Sequence, residues 1–385
     1  MGYKTLQDPQ FAGLGNYDPK ALFAELPTPA YVIDQERLRE NGQVLAALAE
    51  RTGCKVLLAQ KAFSNYDFYP LLASYLAGTE ASGLYEAQLG KEEMPQGEVH
   101  VFCGAYRADE FEELLQYADH IVFNSIHQLK QFGPRGKEAG KSLGLRINPQ
   151  CSTQEGHAIY DPCAPGSRMG VTRDVWDKEM DEDTLALLDG LHFHTLCEQN
   201  SDDLKTTLQA VEEKFGDILT GMKWLNMGGG HHITRPDYDL AALEDCIRHA
   251  QQAWGVTVYL EPGEAVALNA GYFVSRVLDI VENSGTKIAI LDASAACHMP
   301  DVLEMPYQPP ILGADTEPGE GYPFRLAGPT CLAGDVVGDY VFEVELQVGD
   351  LVLFGDMAIY TTCKNNTFNG MPLPGIFVLH SDGRL

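Results

Sequence analysis

Short apolar runs alternate with longer amphipathic stretches from residue 55 to about residue 263. In the longer stretches, apolar positions recur at intervals of three and four, as on one face of a helix. Eight short runs predict strands, at residues 55–60, 79–82, 98–102, 120–124, 143–148, 191–195, 223–227 and 257–260. Such alternation is typical of repeated βα units, and eight units predict an α/β fold, a (β/α)8 barrel of parallel strands.

The pattern changes after residue 271, where Pro- and Gly-rich loops separate strand-like runs and no helix-like stretch of any length follows. The runs lie at residues 272–278, 287–291, 340–345, 350–353 and 376–379. Residues 271–385 are therefore predicted to form a C-terminal β-rich domain, barrel- or sandwich-like. We expect residues 35–270 to form the barrel and residues 1–34 to pack on the β domain.

Composition restricts the class of protein. The chain has 27 Lys+Arg against 55 Asp+Glu, and the formal net charge of −28 repels nucleic acid and anionic membranes and attracts cations. Solubility alone also explains this charge, so a polycationic substrate requires local evidence. The apolar runs are too short to cross a bilayer and the N-terminus lacks signal-peptide features, so we expect a cytoplasmic protein without membrane partners. Nine scattered cysteines, none in a CxxC pair, indicate free thiols.

The C-terminal ends of the predicted barrel strands carry many reactive side chains. In a (β/α)8 barrel the active site lies at these ends. The residues there are Lys61, Glu80, Asn124, Arg146, His194, Gly228 and Glu261. Each one alone is ordinary for a loop, whereas seven on one rim predict an active site.

Lys61 ends an apolar strand, within the motif AQKAF. A desolvated lysine near other cations has a lowered pKa, which leaves its amine free to attack an aldehyde. Lys61 is thus a candidate Schiff-base lysine, and the alternative is a strand-end lysine that extends to water.

Two further motifs suit a phosphorylated, nitrogen-containing ring. Gly228, Gly229 and Gly230 follow a strand directly, where bare backbone N–H groups can approach phosphate oxygens. Glu261, followed by Pro-Gly, ends the eighth strand, where a carboxylate could hold a proton on a pyridine nitrogen. Plain turns are the alternative for both.

His192 and His194 alternate along a strand and therefore point to the same side. Such a pair can hold zinc, but a third and fourth ligand with convincing spacing are missing, and we expect no metal. The alternatives are a histidine stacked on a planar cofactor and a hydrogen-bonded core histidine.

The predicted β domain adds two candidate loops. Cys331 lies in a Gly/Pro-defined loop with Asp335 shortly after it, and a loop thiol can act as a proton donor or nucleophile. Tyr360 and the motif FNG that begins at Phe368 offer a phenol and a loop that could close over a ligand.

The ordered set AQKAF, HFH, GGG, EPG, GPTC and FNG resembles the fold-type III pyridoxal-phosphate (PLP) decarboxylases, which include the ornithine, diaminopimelate and arginine decarboxylases. The match spans residues 27–374. Details around Glu261 and Asp292 most resemble the carboxynorspermidine/carboxyspermidine decarboxylases of that family. The resemblance implies a PLP-binding barrel with a β domain, a homodimer with shared active sites, and decarboxylation of a polycationic amino acid in polyamine biosynthesis.

The resemblance also implies a role for each matching residue. Lys61 would hold PLP as a Schiff base, and His194 would stack on the ring. The three glycines would hold the phosphate, which Tyr360 would approach, while Glu261 would pair with the pyridine nitrogen. Cys331, reaching across from the partner subunit, would supply a proton after carbon dioxide leaves.

Two departures from the ornithine-type pattern bear on the substrate. Glu264 stands where those enzymes have arginine, and Leu332 stands where they have an acid directly after the cysteine. Glu264, with Asp292, Asp301 and Asp335, would suit a longer substrate with more than one ammonium group. Decarboxylation of diaminopimelate, arginine or ornithine stays an alternative. An inactive regulator with this fold is another, against which the presence of Lys61 and Cys331 argues.

Overall fold

The computed structural model describes residues 2–154 and 161–385. The chain divides into two compact units. The barrel unit comprises Asn41–Lys61 and Asn65–Val266, and the sheet unit comprises Met1–Glu40, Ala62–Ser64 and Ala267–Leu385. Neither unit is one continuous stretch of chain. The sheet unit combines residues from before and after the barrel, and Ala62–Ser64, directly after Lys61, interrupts the barrel unit.

The described strands and helices are numbered in chain order. The strands are β1 Ala30–Asp34, β2 Lys55–Ala59, β3 Gly78–Ala81, β4 Glu98–Phe102, β5 His120–Phe123, β6 Ser142–Arg146, β7 Gly190–His192, β8 Trp224–Asn226, β9 Thr257–Leu260, β10 Gly271–Asn283, β11 Thr286–Leu291, β12 Ala314–Asp315, β13 Tyr322–Ala327, β14 Val336–Phe342, β15 Leu351–Gly355 and β16 Gly375–Leu379. The helices are α1 Pro19–Leu22, α2 Gln35–Thr52, α3 Tyr69–Leu72, α4 Leu84–Glu93, α5 Phe111–Tyr117, α6 Ile126–Glu138, α7 Arg173–Glu179, α8 Glu182–Leu185, α9 Ser201–Leu219, α10 Leu240–Trp254, α11 Glu264–Ala267, α12 Ala295–His298 and α13 Asp301–Glu304. Short 3-10 turns lie at Ala12–Leu14, Tyr66–Phe68 and Phe368–Gly370.

Strands β2 to β9 form a closed parallel barrel, which confirms the predicted (β/α)8 architecture. Each strand pairs with the next along the chain, and β2 closes the ring by pairing with β9. The eight predicted strands all occur, within a few residues of their predicted ends. Since both faces of these strands are covered, their residues are buried nearly without interruption, as in β2 and β3.

Amphipathic helices surround the barrel. In α9 the buried residues Leu204, Leu208, Val211 and Phe215 recur at intervals of three and four, and so form the face that packs inward. Helix α10 begins at the cap Asp239, whose side chain accepts a hydrogen bond from the Ala242 N–H, and ends at Gly255 in the left-handed conformation. These caps fix where α10 begins and ends, and thus where the following strand, β9, enters the barrel.

Register across three barrel strands brings polar residues side by side. Arg146 on β6 is the register partner of His192 on β7, and His192 is the register partner of Asn226 on β8. Neighbouring residues in register share one face of a sheet. All three are buried, so a row of polar side chains lies at the C-terminal ends of these strands.

The sheet unit is built on one mixed sheet with the strand order β12-β14-β13-β11-β10-β1-β16, and β15 also pairs with β10. β1, from near the N-terminus, runs parallel to β16 and antiparallel to β10. The predicted β-rich C-terminal domain is thus confirmed, and the described strand β13 was missed from the sequence. A helix both long and apolar enough to span a bilayer is not found among the described residues.

Candidate active site at the C-terminal end of the barrel

Glu261 directly follows β9 and is 5% exposed. His192 Nε2 lies 3.0 Å from Glu261 Oε2, and Asn226 Nδ2 donates a hydrogen bond of 2.5 Å to Glu261 Oε1. Burial raises the pKa of Glu261, but the interaction with His192 and the charge of Lys61 outweigh it and lower the pKa to about 2. Glu261 is therefore an ionised carboxylate with both oxygens hydrogen-bonded inside the barrel.

Lys61 follows β2 and is half-buried. Within residues 2–154 and 161–385, its amine makes no hydrogen bond or salt bridge. Glu80, at the end of β3, is buried, and this burial raises its pKa to about 8, against the lowering effect of the Lys61 charge. Glu80 Oε2 is without a hydrogen-bond partner in the described part of the chain. The Lys61 amine thus lies near two acidic side chains and is free to form a covalent bond.

The glycine run leaves β8 in a turn that has no space for side chains. A Cβ added at Gly228 would lie 2.5 Å from the Phe193 oxygen, and one at Gly230 would lie 2.1 Å from the Leu196 oxygen. Gly228 and Gly230 also have φ values of 71° and 81°. The N–H groups of Gly230 and His231 donate no hydrogen bond to the residues that the structure describes, so they are available to an anion.

His194 is joined to the glycine turn. Its Nδ1 accepts a hydrogen bond of 3.0 Å from the Gly229 N–H, and burial and the Lys61 charge hold its pKa well below the usual value. The neutral ring therefore carries its proton on Nε2. Because His192 Nε2 faces Glu261 and His194 Nδ1 faces Gly229, these two nitrogens are already engaged, which argues against the zinc alternative for this pair.

Arg146 and Asn124 support the surrounding loops. Arg146 donates a hydrogen bond of 3.0 Å to the His194 carbonyl and lies with its guanidinium 4.7 Å from the Phe102 ring centroid. Asn124 donates to the carbonyls of Gly104 and Arg168 at 3.2 and 2.8 Å. Both rim residues thus hold the loops that follow neighbouring strands.

Glu264 begins α11 and is paired with His232, whose Nε2 lies 2.8 Å from Glu264 Oε2. Burial lowers the pKa of His232, but Glu264 outweighs it and raises the pKa above the usual value. The carboxylate that distinguishes this chain from the ornithine-type pattern is therefore already hydrogen-bonded to a histidine, whose protonated form it favours.

In the sheet unit, the predicted loop thiol is held by a second predicted loop. Cys331 is exposed, and its N–H donates a hydrogen bond of 2.9 Å to Asn369 Oδ1. Asn369 is the central residue of FNG and has a φ of 56°. Tyr360, also with a positive φ of 51°, is half-buried, and its N–H donates to the Ala62 carbonyl. The two motifs GPTC and FNG thus meet in space.

The three acids predicted to contact the substrate from the sheet unit all have partners within that unit. Asp292 accepts from the Thr28 and Ser275 hydroxyls at 2.5 and 2.7 Å. Asp335 accepts hydrogen bonds from the hydroxyl groups of Ser294 and Thr330 at 2.9 and 2.6 Å. Asp301 forms a salt bridge with Lys364, which raises the Lys364 pKa. These contacts suit structural roles, so contact with the substrate stays a prediction for each acid.

Comparison with known proteins decides the family. The family model described as "Pyridoxal-dependent decarboxylase, C-terminal sheet domain" matches residues 30–358. The chain belongs to the pyridoxal-dependent decarboxylases. This decarboxylase is 40% identical over 376 residues to the carboxynorspermidine/carboxyspermidine decarboxylase of Campylobacter jejuni, covering 94% of this chain and 96% of that protein. It is 38% identical to the carboxyaminopropylagmatine decarboxylase of Synechocystis, covering 94% and 92% of the two chains.

A solved structure agrees with these relatives. The crystal structure of C. jejuni carboxynorspermidine decarboxylase in complex with norspermidine superposes with a TM-score of 0.85 at 40% identity, covering 93% of this chain and 95% of that chain. The resemblance inferred from the ordered motifs is confirmed.

The barrel residues fit the cofactor that the family uses. The glycine turn has free amide donors and no space for side chains, the Lys61 amine is unpaired within the described residues, and Glu261 is an ionised carboxylate. These are the groups that a phosphate, an aldehyde and a pyridine nitrogen require. PLP is the cofactor of this decarboxylase.

Sequence reasoning missed the partners of Glu261. The sequence identifies His192 only as half of an HxH pair and does not identify Asn226 as a site residue. The signal was present, because strands 191–195 and 223–227 were predicted and both residues occupy inward positions near their C-terminal ends. The sequence pattern could not show that both side chains converge on Glu261, which follows a third strand.

Proposed function

We propose that this protein decarboxylates carboxynorspermidine and carboxyspermidine, giving norspermidine and spermidine, in polyamine biosynthesis. The observation that carries this proposal is the 40% identity, over 94% of the chain, with the C. jejuni enzyme that is named for these two substrates. The net charge of −28 is consistent with a polycationic substrate, because it attracts cations at long range.

Different barrel residues are proposed to hold different parts of the cofactor. In this proposal Lys61 binds the cofactor aldehyde covalently and His194 packs against the ring. The turn of Gly228, Gly229 and Gly230 holds the phosphate, to which Gly230 and His231 offer N–H groups that are unengaged in the described part of the chain. Glu261 holds a proton on the ring nitrogen. Bound PLP supplies a sink for the electron pair that is left when carbon dioxide departs. Tyr360 is proposed to approach the phosphate.

The proton that replaces the carboxylate is proposed to come from Cys331 of the partner subunit in a homodimer. The exposed thiol in a loop anchored by Asn369 supports this role, because a proton donor needs both access and a fixed position. A cytoplasmic location remains part of the same proposal.

Glu264 is the proposed contact of the barrel unit with the additional ammonium groups of the substrate, and Asp301 is the strongest candidate in the sheet unit. Glu264 is already paired with His232 and Asp301 with Lys364, so substrate binding competes with an internal pair. The expected gain per ammonium contact is therefore modest, about 0.5–1 kcal/mol. The fully bonded Asp292 and Asp335 are weaker candidates.

A second substrate is favoured by a specific observation, the 38% identity with the carboxyaminopropylagmatine decarboxylase. That substrate differs in carrying a guanidinium group. Decarboxylation of carboxyaminopropylagmatine would be the same class of reaction with the same cofactor. Only the substrate preference therefore separates this proposal from the first one.

Steady-state rates test the proposal. The purified enzyme loaded with PLP is assayed for carbon dioxide release on carboxynorspermidine, carboxyspermidine, carboxyaminopropylagmatine, diaminopimelate, arginine and ornithine. We expect kcat/KM to be highest on the first two. Highest kcat/KM on carboxyaminopropylagmatine would favour the second candidate, and preference for one of the last three would overturn the polyamine assignment. No turnover on any of them, with PLP bound, would favour a regulatory protein.

A further inference from the structure

His192 is held firmly inside the barrel by side chains of the same unit. It is the last residue of β7 and is 1% exposed. Its ring stacks on Phe102, with centroids 5.4 Å apart and planes 26° apart. Phe102 is also the ring beneath the Arg146 guanidinium. The imidazole therefore has little freedom to turn, and its Nε2 stays directed at Glu261.

The contacts determine where His192 carries its proton. Burial lowers the pKa of His192, and the Arg146 and Lys61 charges add to this effect against the opposing influence of Glu261, so the ring is neutral. A neutral imidazole has one N–H, and a bare Nε2 facing a carboxylate oxygen at 3.0 Å would repel it. The proton lies on Nε2, which leaves Nδ1 bare and without a partner in the described residues.

Leaving Nδ1 unpaired inside a protein is costly, because the buried nitrogen has lost its hydrogen bond to water without gaining another among the described residues. An apolar side chain at residue 192 would avoid this cost. The only polar contact of the ring among the described residues is with Glu261, so the hydrogen bond to that carboxylate is the function that the histidine performs.

We propose that His192 is a positioning residue of the cofactor site, which keeps Glu261 ionised and fixes its orientation by donating the Nε2 proton to Oε2. This inference rests on the proposed role of Glu261 at the ring nitrogen. Asn226 does the same at Oε1. Together the two donors leave the carboxylate unable to rotate or to take up a proton of its own, so a proton shared with the cofactor stays on the ring nitrogen.

The test substitutes the histidine in the holoenzyme. His192→Phe removes the donor and keeps a ring, and His192→Gln restores an N–H donor. Each variant is loaded with PLP labelled with ¹⁵N in the ring, and the ring-nitrogen chemical shift is measured by NMR. We expect the protonated shift in the native enzyme and in H192Q, and a move toward the neutral-pyridine shift in H192F, with at least a tenfold rise in the PLP dissociation constant.

His100→Phe is the matched control. His100 is another buried barrel histidine whose Nε2 lies 3.2 Å from a carboxylate, that of Glu98, but it sits in the middle of β4. This variant should change the ring-nitrogen signal far less than H192F does, because His100 makes no hydrogen bond to Glu261. An unchanged signal in H192F, or an equal change in H100F, would overturn the inference. A neutral ring nitrogen in the native enzyme would instead overturn the role of Glu261.

A second measurement needs no substitution and covers the case in which H192F fails to fold. ¹⁵N-histidine labelling of the native protein reports the tautomer of each ring, and H192Q assigns the His192 signal. We expect His192 to be neutral with its proton on Nε2 between pH 6 and pH 8. A proton on Nδ1, or a doubly protonated ring, would contradict the proposal.

Discussion

Asn226 joins Glu261 to the glycine turn through one side-chain amide. Its Nδ2 donates to Glu261 Oε1 at 2.5 Å, and its Oδ1 accepts from the Gly228 N–H at 2.9 Å. Asn226 is fully buried, so both bonds are protected from water. The groups proposed to hold the two ends of the cofactor, its ring nitrogen and its phosphate, are thus connected through a single residue.

Replacing this amide with an acid should damage both ends of the site. Asn226→Asp keeps the shape but places a second carboxyl group beside Glu261, and like charges raise the pKa of one member of such a pair. We expect the PLP dissociation constant to rise about 10- to 100-fold, the equivalent of roughly 1.5–3 kcal/mol for a hydrogen bond to a charged group. Absorbance titration with PLP measures the change.

Asn124→Asp serves as the control for that substitution. Asn124 is also an asparagine at the rim of the barrel, but its hydrogen bonds go to Gly104, Arg168 and Gly170. An equal loss of PLP affinity in both variants would show that any new acid at the rim has this effect, against a specific role for Asn226.

Lys61 is expected to be the residue to which PLP is covalently bound. Borohydride reduction of the holoenzyme should fix a pyridoxyl group on the peptide that contains Lys61, as identified by mass spectrometry. Lys61→Arg should abolish the label and lower kcat by a factor on the order of 10³ or more. Lys55→Arg, at the other end of β2 in a salt bridge with Glu98, should keep both label and activity. Label on any lysine other than Lys61 would refute the assignment.

Glu80 should make the stability of the apoprotein depend on pH. Its folded-state pKa is raised to about 8 from 4.5, mainly by burial, so the folded state binds this proton more tightly than the unfolded state. The resulting stability is fully present below pH 4.5 and is lost as the pH rises through about 8. Glu80→Gln cannot ionise and should escape this loss.

Thermal unfolding of the apoprotein between pH 5 and pH 9 checks the prediction. The Tm of E80Q relative to the native protein should increase from pH 5 to about pH 8 and then level off. The rise should be about 10 °C, since a pKa raised from 4.5 to about 8 corresponds to a few kcal/mol and about 1 kcal/mol shifts Tm by roughly 2–4 °C in a domain of this size. Glu50→Gln, a change at an exposed position of α2, should show no such trend. A difference in Tm that is the same at every pH would mean that Glu80 is ionised throughout.

The contact between Asn369 and Cys331 should matter for activity more than for stability. Asn369→Gly removes the acceptor of the Cys331 N–H at an exposed site, and glycine accepts the positive φ of this position without strain. We expect kcat to fall about 3- to 10-fold, because one hydrogen bond is worth about 0.5–1.5 kcal/mol in positioning, with little change in Tm. Asn366→Gly is the control, since it adds the same backbone freedom nearby while the Asn366 side chain bonds to Ala296 and not to Cys331. Equal effects in both variants would point to general loosening of this loop.

The barrel could be predicted because its signal is local. Each strand is a short apolar run, and helices such as α9 repeat apolar residues at three and four, so the order of elements determined the fold class. Strand β13 was missed because its apolar and polar residues alternate on a half-exposed strand that contains Pro323. Such a run resembles the Pro-containing loops around it.

The site was only partly predictable for a different reason. Lys61, Glu261 and the glycines stand at strand ends and are recognisable one by one. The contacts of Asp292 and Asp335 with serine and threonine hydroxyls depend on residues distant in the sequence. The sequence therefore shows the charge of these acids but not their internal hydrogen bonds. The same distance in sequence hid the convergence of His192 and Asn226 on Glu261.

The position of β1 between β10 and β16 affects how the chain folds during its synthesis. β1 (Ala30–Asp34) leaves the ribosome long before its parallel neighbour β16 (Gly375–Leu379), because more than 300 residues of chain separate the two strands. At about 5–20 residues per second, the edge of β1 stays unpaired for roughly 20–70 s. An open, apolar edge is a template for aggregation. Chains truncated before β16 should therefore be insoluble, and the speed of translation between β1 and β16 should influence the yield of active enzyme.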